Sequence, residues 1–417
     1  MSDHFTRVLS RPEFIALMAA LMALNALAID IMLPALPYMG EALGVASENE
    51  RQFVIAAYML GMGIAVLAFG PLTDRFGRRA PLLAGMAVYV IAALAAAFAP
   101  SFAILLLLRF IQGMGAAGVR VITTAVVRDS YSGREMAEVM SLVFMVFMAI
   151  PILAPGIGQV LLLTGPWQTI FIFMALLAAA FWLWSFFRLP ETLPASARRP
   201  LSFAAVGRGF VIVVTNRPAF SYGLAGTFLF GALFSFISSS QQIYVDIYQL
   251  GVYFPVAFAG MAGLMSIASF TNSRIVRKLG MRRLSHGAML AFTLFSGIWL
   301  AFALSGWLPL WLFFTLLSVI MFAFGWSSAN MNSLSMEPLG AVAGTASAVF
   351  AFIQTVGGAV IGSIVGQLFN GTTVPTAAGY FLMGILALIC ILVAENGRLF
   401  GVGEQYVQEE PVAEAGQ

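Results

Sequence analysis

The chain has 417 residues, of which 61% are apolar and 9% charged, with a formal charge of +3; its mean hydropathy is +0.94. A water-soluble domain carries roughly 25% charged residues, so this chain is solvated by lipid rather than water. A single cysteine, Cys390, excludes an intrachain disulfide and reads as a small core hydrophobe. The two histidines, His4 and His286, are too far apart in sequence to suggest a metal site.

Apolar runs of about 18–28 residues match the thickness of a bilayer, and twelve follow one another along the chain. They occupy residues 14–36, 53–72, 81–98, 102–127, 136–163, 167–187, 219–242, 252–270, 284–304, 308–331, 341–369 and 377–394. Runs of this length in hydrocarbon must be helical, because only a helix satisfies its own backbone there. The expected fold is an all-α membrane protein of twelve transmembrane helices. Residues 1–13 are polar and the run behind them is too long for a signal-peptide core, so no cleaved leader is expected.

Arginine and lysine set the expected topology. With the N-terminus in the cytoplasm, 18 of the 21 fall on the cytoplasmic side, Arg51 falls outside, and Arg109 and Arg120 fall inside span four. Both termini then come out cytoplasmic, and the charge of +3 reflects topology rather than a nucleic-acid partner. The longest polar connection, residues 189–218, contains ETLPASARRP and reads as a cytoplasmic linker between two six-span halves. A weak repeat agrees: DRFGRR (residues 74–79) follows span two and RKLGMRR (residues 277–283) follows span eight, aligning Gly77 with Gly280. The second copy lacks the aspartate. The division expected is residues 1–188 and 219–396 as pseudo-symmetric six-helix bundles, 189–218 as linker, and 397–417 as a disordered cytoplasmic tail.

A charge at mid-span costs at least about 2.5–3.5 kcal/mol and is a functional candidate by default. Asp30 in span one, and Arg109 and Arg120 in span four, are the three clear cases, all in the first half. At 1.5 Å rise per residue, Asp30 lies about 9 Å and Arg109 about 10 Å below the outer boundary. They are expected to pair across the bundle, which keeps Asp30 ionised until the partner or water is lost and a proton is taken. The alternative is a permanent pair that only fixes helix packing. Arg120 follows Arg109 by eleven residues, three helical turns, so both point the same way; it either attracts an anionic group or snorkels to the surface. Pro151 and Pro155 each remove a backbone hydrogen bond from span five, and Gly156 and Gly158 beside them admit a close neighbour. Asn25, Tyr58, Gln112, Gln241, Asn330 and Gln354, with Arg120, are candidates for lining a central cavity. No G-x-x-x-x-G-K-[ST] loop is present, and the lone lysine is Lys278, so ATP drive by this chain is excluded.

The loop GPLTDRFGRR (residues 70–79) resembles the G-x-L-[AT]-D-R-x-G-R-[RK] signature of the major facilitator superfamily. LAIDIMLPALP (27–37), the R-x-x-Q-G motif within LRFIQGMGAAGVRVITTAVVRDSY (108–131), PILAPGIG (151–158) and SSANMNSLSMEPLGAVAGTASAVF (327–350) together resemble its Bcr/CflA-type drug:proton antiporter branch. The resemblance implies a proton-driven exporter of amphipathic small molecules: a monomer in the bacterial inner membrane, without cofactor or bound metal, and not an enzyme. Asp30 would carry the proton with Arg109 as its coupling partner. Asp74 and Arg78 of that loop would form, with Asp129 near the end of span four, a charge network that latches the outward-open state; Gly70, Arg75, Gly77 and Arg79 belong to the same latch, and Asp74 would face the start of span eleven, where a helix dipole favours a carboxylate. Ala154 and Gln159 depart from the antiporter motif of span five, and Arg120 stands where this family usually has a small apolar residue. A dedicated exporter of one endogenous metabolite, or an uncoupled facilitator or channel, are the competing readings.

Overall fold

The computed structural model describes residues 9–198, 200–201 and 203–400. Among these, twelve helices are long and apolar enough to cross a membrane, and no strand is present. Spans one to six contain the helices Arg11–Asp30, Phe53–Phe76, Arg79–Ala96, Phe102–Ser130, Gly133–Thr164 and Gln168–Arg188. Spans seven to twelve contain Arg217–Gln241, Phe254–Leu279, Met281–Leu304, Leu310–Met336, Ala343–Gln367 and Val374–Ala394. His4, Arg7, Arg199 and tail residues 401–417 lie outside the described residues.

The helix starts carry the local signals that satisfy otherwise orphaned backbone N–H groups. Ser10, Ser101 and Asn216 each accept a hydrogen bond from the amide three residues on. Proline stands in the first turn of spans one, seven, eight and twelve, where its missing donor costs nothing. Spans two, four, eight and ten run past the apolar windows into charged or polar turns. Helical hydrogen bonding continues there because the flanking side chains reach water while the backbone stays paired.

The packing has an internal symmetry. Span four lies against spans two and three, three against six, and one against five; adding six to each number gives the matching pairs of the second half. Between the halves, span two packs on span eleven and span five on span eight, a pair of contacts that the same operation exchanges. The chain is thus two pseudo-symmetric six-helix bundles facing each other.

Within residues 189–218, Phe203–Thr215 forms a helix. Its Val213 is fully buried among Ala219, Leu339, Ala346, Val349 and Phe350, and Phe210 meets Phe352 ring to ring at 5.9 Å. The apolar spacing Phe210–Val213 makes a stripe that docks beside spans seven and eleven; the surrounding arginines and prolines masked it. The segment read as a disordered tail also begins in ordered contact, since the Phe400 amide donates to His286 Nδ1 at 3.1 Å.

Candidate transport site

Arg109 is completely buried, and its guanidinium is answered by neutral groups. It donates to the carbonyls of Ala28 in span one (2.9 Å) and Val54 in span two (3.2 Å), and to Gln112 Oε1 (2.7 Å). Its carbon lies 4.5 Å from the centroid of the Tyr58 ring, an arrangement in which the ring's negative face helps hold the cation. Arg109 therefore ties spans one, two and four together.

The expected Asp30–Arg109 ion pair is not formed. Arg109 bonds the carbonyl two residues before Asp30, while the Asp30 side chain turns to the seam between the halves. It is 4% exposed and its Oδ1 has no hydrogen-bond partner. It borders a cavity of about 100 Å³ with Pro151 of span five and Leu233, Phe236, Phe258, Met261 and Met321 of the second half.

The remaining cavity candidates separate. Tyr58 Oη and Asn25 Oδ1 lie 3.4 Å apart, while Asn25 Nδ2 and Gln112 Nε2 are buried without a partner. Arg120 is half-buried, and among the described residues its side chain makes no hydrogen bond or ion pair. Gln354 is half-buried beside Gly226, and Gln241 is buried. Asn330 donates to Asn272 Oδ1 at 2.8 Å and to the Trp326 carbonyl at 2.7 Å, so its amide ties span ten to span eight.

The loop between spans two and three is built around Arg78. Its guanidinium donates to Asp129 Oδ2 (2.9 Å), Asp74 Oδ1 (2.8 Å) and Thr73 Oγ1 (3.0 Å). Burial works against the Arg78 charge, but hydrogen bonds and charges from Asp129 and Asp74 outweigh it and raise its pKa above the ordinary value. Gly77 has φ +89° and sits against the Glu191 carboxylate, which accepts from the amides of Arg78 (2.7 Å) and Arg79 (3.2 Å); a side chain there is both strained and blocked. Arg79 donates to the Phe186 carbonyl at 2.5 Å, and Arg75 is exposed. Gly70 meets nothing closely. Asp74 is engaged by Arg78 within its own half rather than by span eleven.

The second half carries a counterpart in which glutamates take the place of the aspartates. Gly280, at φ +81°, precedes Arg282, which donates to Glu395 (2.8 Å) and Glu337 (2.8 Å) at the ends of spans twelve and ten. Tyr222 donates to the same Glu395 at 2.7 Å and lies 3.0 Å from His286 Nε2. Glu191 and Glu395 both follow the last span of their half, a correspondence visible only once Gly77 and Gly280 are aligned.

At the opposite end of the spans the halves are hydrogen-bonded to one another. Asn49 donates to the carbonyls of Gln367 (3.0 Å) and Phe369 (2.8 Å), and its own carbonyl accepts from Gln367 Nε2 (2.8 Å). Gln52 Nε2 donates to Gln242 Oε1 at 2.7 Å, and Gln242 Nε2 donates to Asn49 Oδ1 at 3.0 Å. Among the described residues, no hydrogen bond or ion pair joins the halves at the end that carries Asp74 and Arg282. These amides were legible only as polar residues near span ends. In span five the helix continues through Pro151 and Pro155. Gly158 lies hard against the Ile31 carbonyl of span one, whereas Gly156 faces open space, so only one of the two glycines admits a close neighbour.

Twelve apolar helices in two paired halves, with the buried Asp30 carboxylate at their seam, have the architecture of a multi-pass membrane transporter of small molecules. A family model for the Major Facilitator Superfamily matches residues 18–361; the chain belongs to that superfamily. It is 31% identical over 390 residues to a bicyclomycin resistance protein homolog of Haemophilus influenzae, covering 91% of this chain and 94% of that one. It is 29% identical to the multidrug resistance protein MdtL of Escherichia coli, covering 94% and 98%. The human organic anion transporter MFSD10 has the same fold, with a TM-score of 0.65 at 18% identity over 91% of this chain and 98% of that one.

Proposed function

We propose that the protein is a proton-coupled exporter of amphipathic small molecules that works by alternating access. The observation that carries this reading is Asp30: a buried carboxylate with an unpartnered oxygen, set in an apolar cavity at the seam of the two halves. A charge in such a place must be paired, wetted or neutralised. Asp30 takes a proton when the seam is sealed around it and loses it when the cavity opens to water on the other side. Arg109 is a positioning residue: it holds spans one, two and four in register so that Asp30 faces the seam.

The two six-helix halves, joined through the 189–218 linker, rock about the cavity. The amide cluster at Asn49, Gln52, Gln242 and Gln367 closes the periplasmic end, and Asp74, Arg78 and Asp129 form the cytoplasmic latch, disengaged from span eleven in this state. Both termini then lie in the cytoplasm of a bacterial cell, and the chain acts as a monomer in its inner membrane. The names of the Haemophilus and Escherichia relatives, bicyclomycin and multidrug resistance, support antibiotic-like substrates. A transmembrane potential supplies about 2.3 kcal/mol per charge per 100 mV, enough to drive such exchange without ATP.

The test is uphill transport in reconstituted vesicles under an imposed pH gradient. Asp30→Asn abolishes gradient-driven accumulation while substrate counterflow persists. Accumulation that survives the substitution unchanged rules out coupling through Asp30.

A further inference from the structure

Arg120 is the charge in the membrane that the coupling scheme leaves unused. Its Cα lies ten residues before the end of the span-four helix at Ser130, about 15 Å inside at 1.5 Å per residue. A helical side chain leans toward the N-terminus of its helix. For Arg120 that direction is toward Arg109 and mid-span, away from the nearer end, so its lean opposes snorkelling. Eleven residues rotate it only about 20° from Arg109, which puts it on the face that meets spans one and two. It is half-buried, with no hydrogen bond or ion pair among the described residues, and within electrostatic reach of Tyr58.

A second observation lies beside the same tyrosine. Asn25 is 7% exposed and its Nδ2 has no acceptor, while its Oδ1 lies 3.4 Å from Tyr58 Oη. The first half thus presents a charged guanidinium and an unfilled amide donor. The one carboxylate deep in these spans, Asp30, is turned to the seam. A lone cation in a membrane cavity needs a counter-charge, and a guanidinium fits a carboxylate with two parallel hydrogen bonds. At the seam, the cavity beside Asp30 is walled by Leu233, Phe236, Phe258 and Met261, which suits an aromatic or aliphatic body rather than a small inorganic ion.

Resting on the export reading above, we propose that Arg120 and Asn25 form an anion subsite, and that the substrates are amphipathic monocarboxylates bound with the acid group on Arg120 and the apolar body toward the seam.

The test uses the full chain in lipid nanodiscs and three matched probes at neutral pH: 1-naphthaleneacetate, its uncharged methyl ester, and 1-naphthalenemethylamine as the cation. The wild type binds the carboxylate about tenfold or more tightly than either other probe, the range of a charge-assisted hydrogen bond. Arg120→Gln lowers carboxylate affinity to that of the ester, and Arg120→Lys keeps most of the preference, which separates lost charge from lost fold. Equal binding of carboxylate and ester by the wild type, no saturable carboxylate binding, or a preference that survives Arg120→Gln overturns the proposal. Competition by chloride or phosphate as effective as the naphthaleneacetate also overturns it, because the subsite would then hold an inorganic ion. The two readings fail separately. Arginine-dependent binding without pH-driven accumulation in vesicles sinks the coupling scheme and leaves the subsite standing; accumulation without carboxylate preference does the reverse.

Discussion

The two halves share a scaffold and differ in chemistry. Each has a glycine turn after its second span followed by an arginine network, Arg78 with Asp74 and Asp129 in one, Arg282 with Glu337 and Glu395 in the other. Inside the bilayer the likeness stops. The first half carries Asp30, Arg109 and Arg120, whereas the second is filled by aromatic rings, with Phe236 stacked on Phe258 at 6.3 Å and Trp299 against Tyr380 at 5.4 Å. Repetition of the fold preserves the packing pairs because they depend on small residues and helix spacing. Charge is costly in lipid and persists only where something uses it, so the duplicated frame carries it on one side alone.

The sharpest way to break this comparison is to remove a carboxylate from each half. Asp30→Asn is expected to lower proton-driven accumulation to background, while Asp246→Asn, at the outer end of span seven, keeps most of it; equal losses in the vesicle assay make the chemistry symmetric. Arg109→Met leaves the carbonyls of Ala28 and Val54 without their donor and is expected to cost on the order of 3 kcal/mol, read as a lowered melting temperature in detergent. Within span five, Gly158→Ala forces a side chain onto the Ile31 carbonyl and is expected to cost about 1–3 kcal/mol, while Gly156→Ala is near neutral in the same melting assay.

The two end networks sharpen the comparison in the opposite sense. Arg282→Gln is expected to destabilise by about 2 kcal/mol, because Glu337 and Glu395 lose a shared donor. Asp74→Ala changes stability by about 0.5 kcal/mol or less but slows transport several-fold, measured as initial efflux rate; normal transport with reduced stability removes the latch. Asn49→Ala loosens the amide tie between the halves by about 1 kcal/mol and shifts the population toward the state open at that end, seen as greater thiol labelling of cysteines placed beside Gln367.

Much of this was legible in the residues alone. Every span was readable because hydrophobic length is a one-dimensional property, and the helix-only rule in lipid leaves the chain no alternative. Asp30, Arg109, Gly77 and Arg78 stood out because charge and glycine are conspicuous against an apolar background. The helix at Phe203–Thr215 was hidden because its apolar stripe gains meaning only against Val349 and Phe350. The amides at Asn49, Gln52 and Gln367 were hidden because side-chain amides at span ends are common, and only their meeting across the seam makes them a tie.

The amino-acid sequence by itself determined that this protein lives in lipid, crosses it twelve times as two related halves, and places three charges within the membrane spans of one of them. Tertiary structure alone decided what those charges meet. Asp30 and Arg109 lie at the same depth, as counting residues showed, but depth is set by rise along one helix, whereas pairing depends on how two helices are rotated about their axes. Packing turned Arg109 inward onto carbonyls and a tyrosine ring and turned Asp30 outward to the seam, and that difference in rotation separates the residue that holds the bundle from the one proposed to move a proton through it.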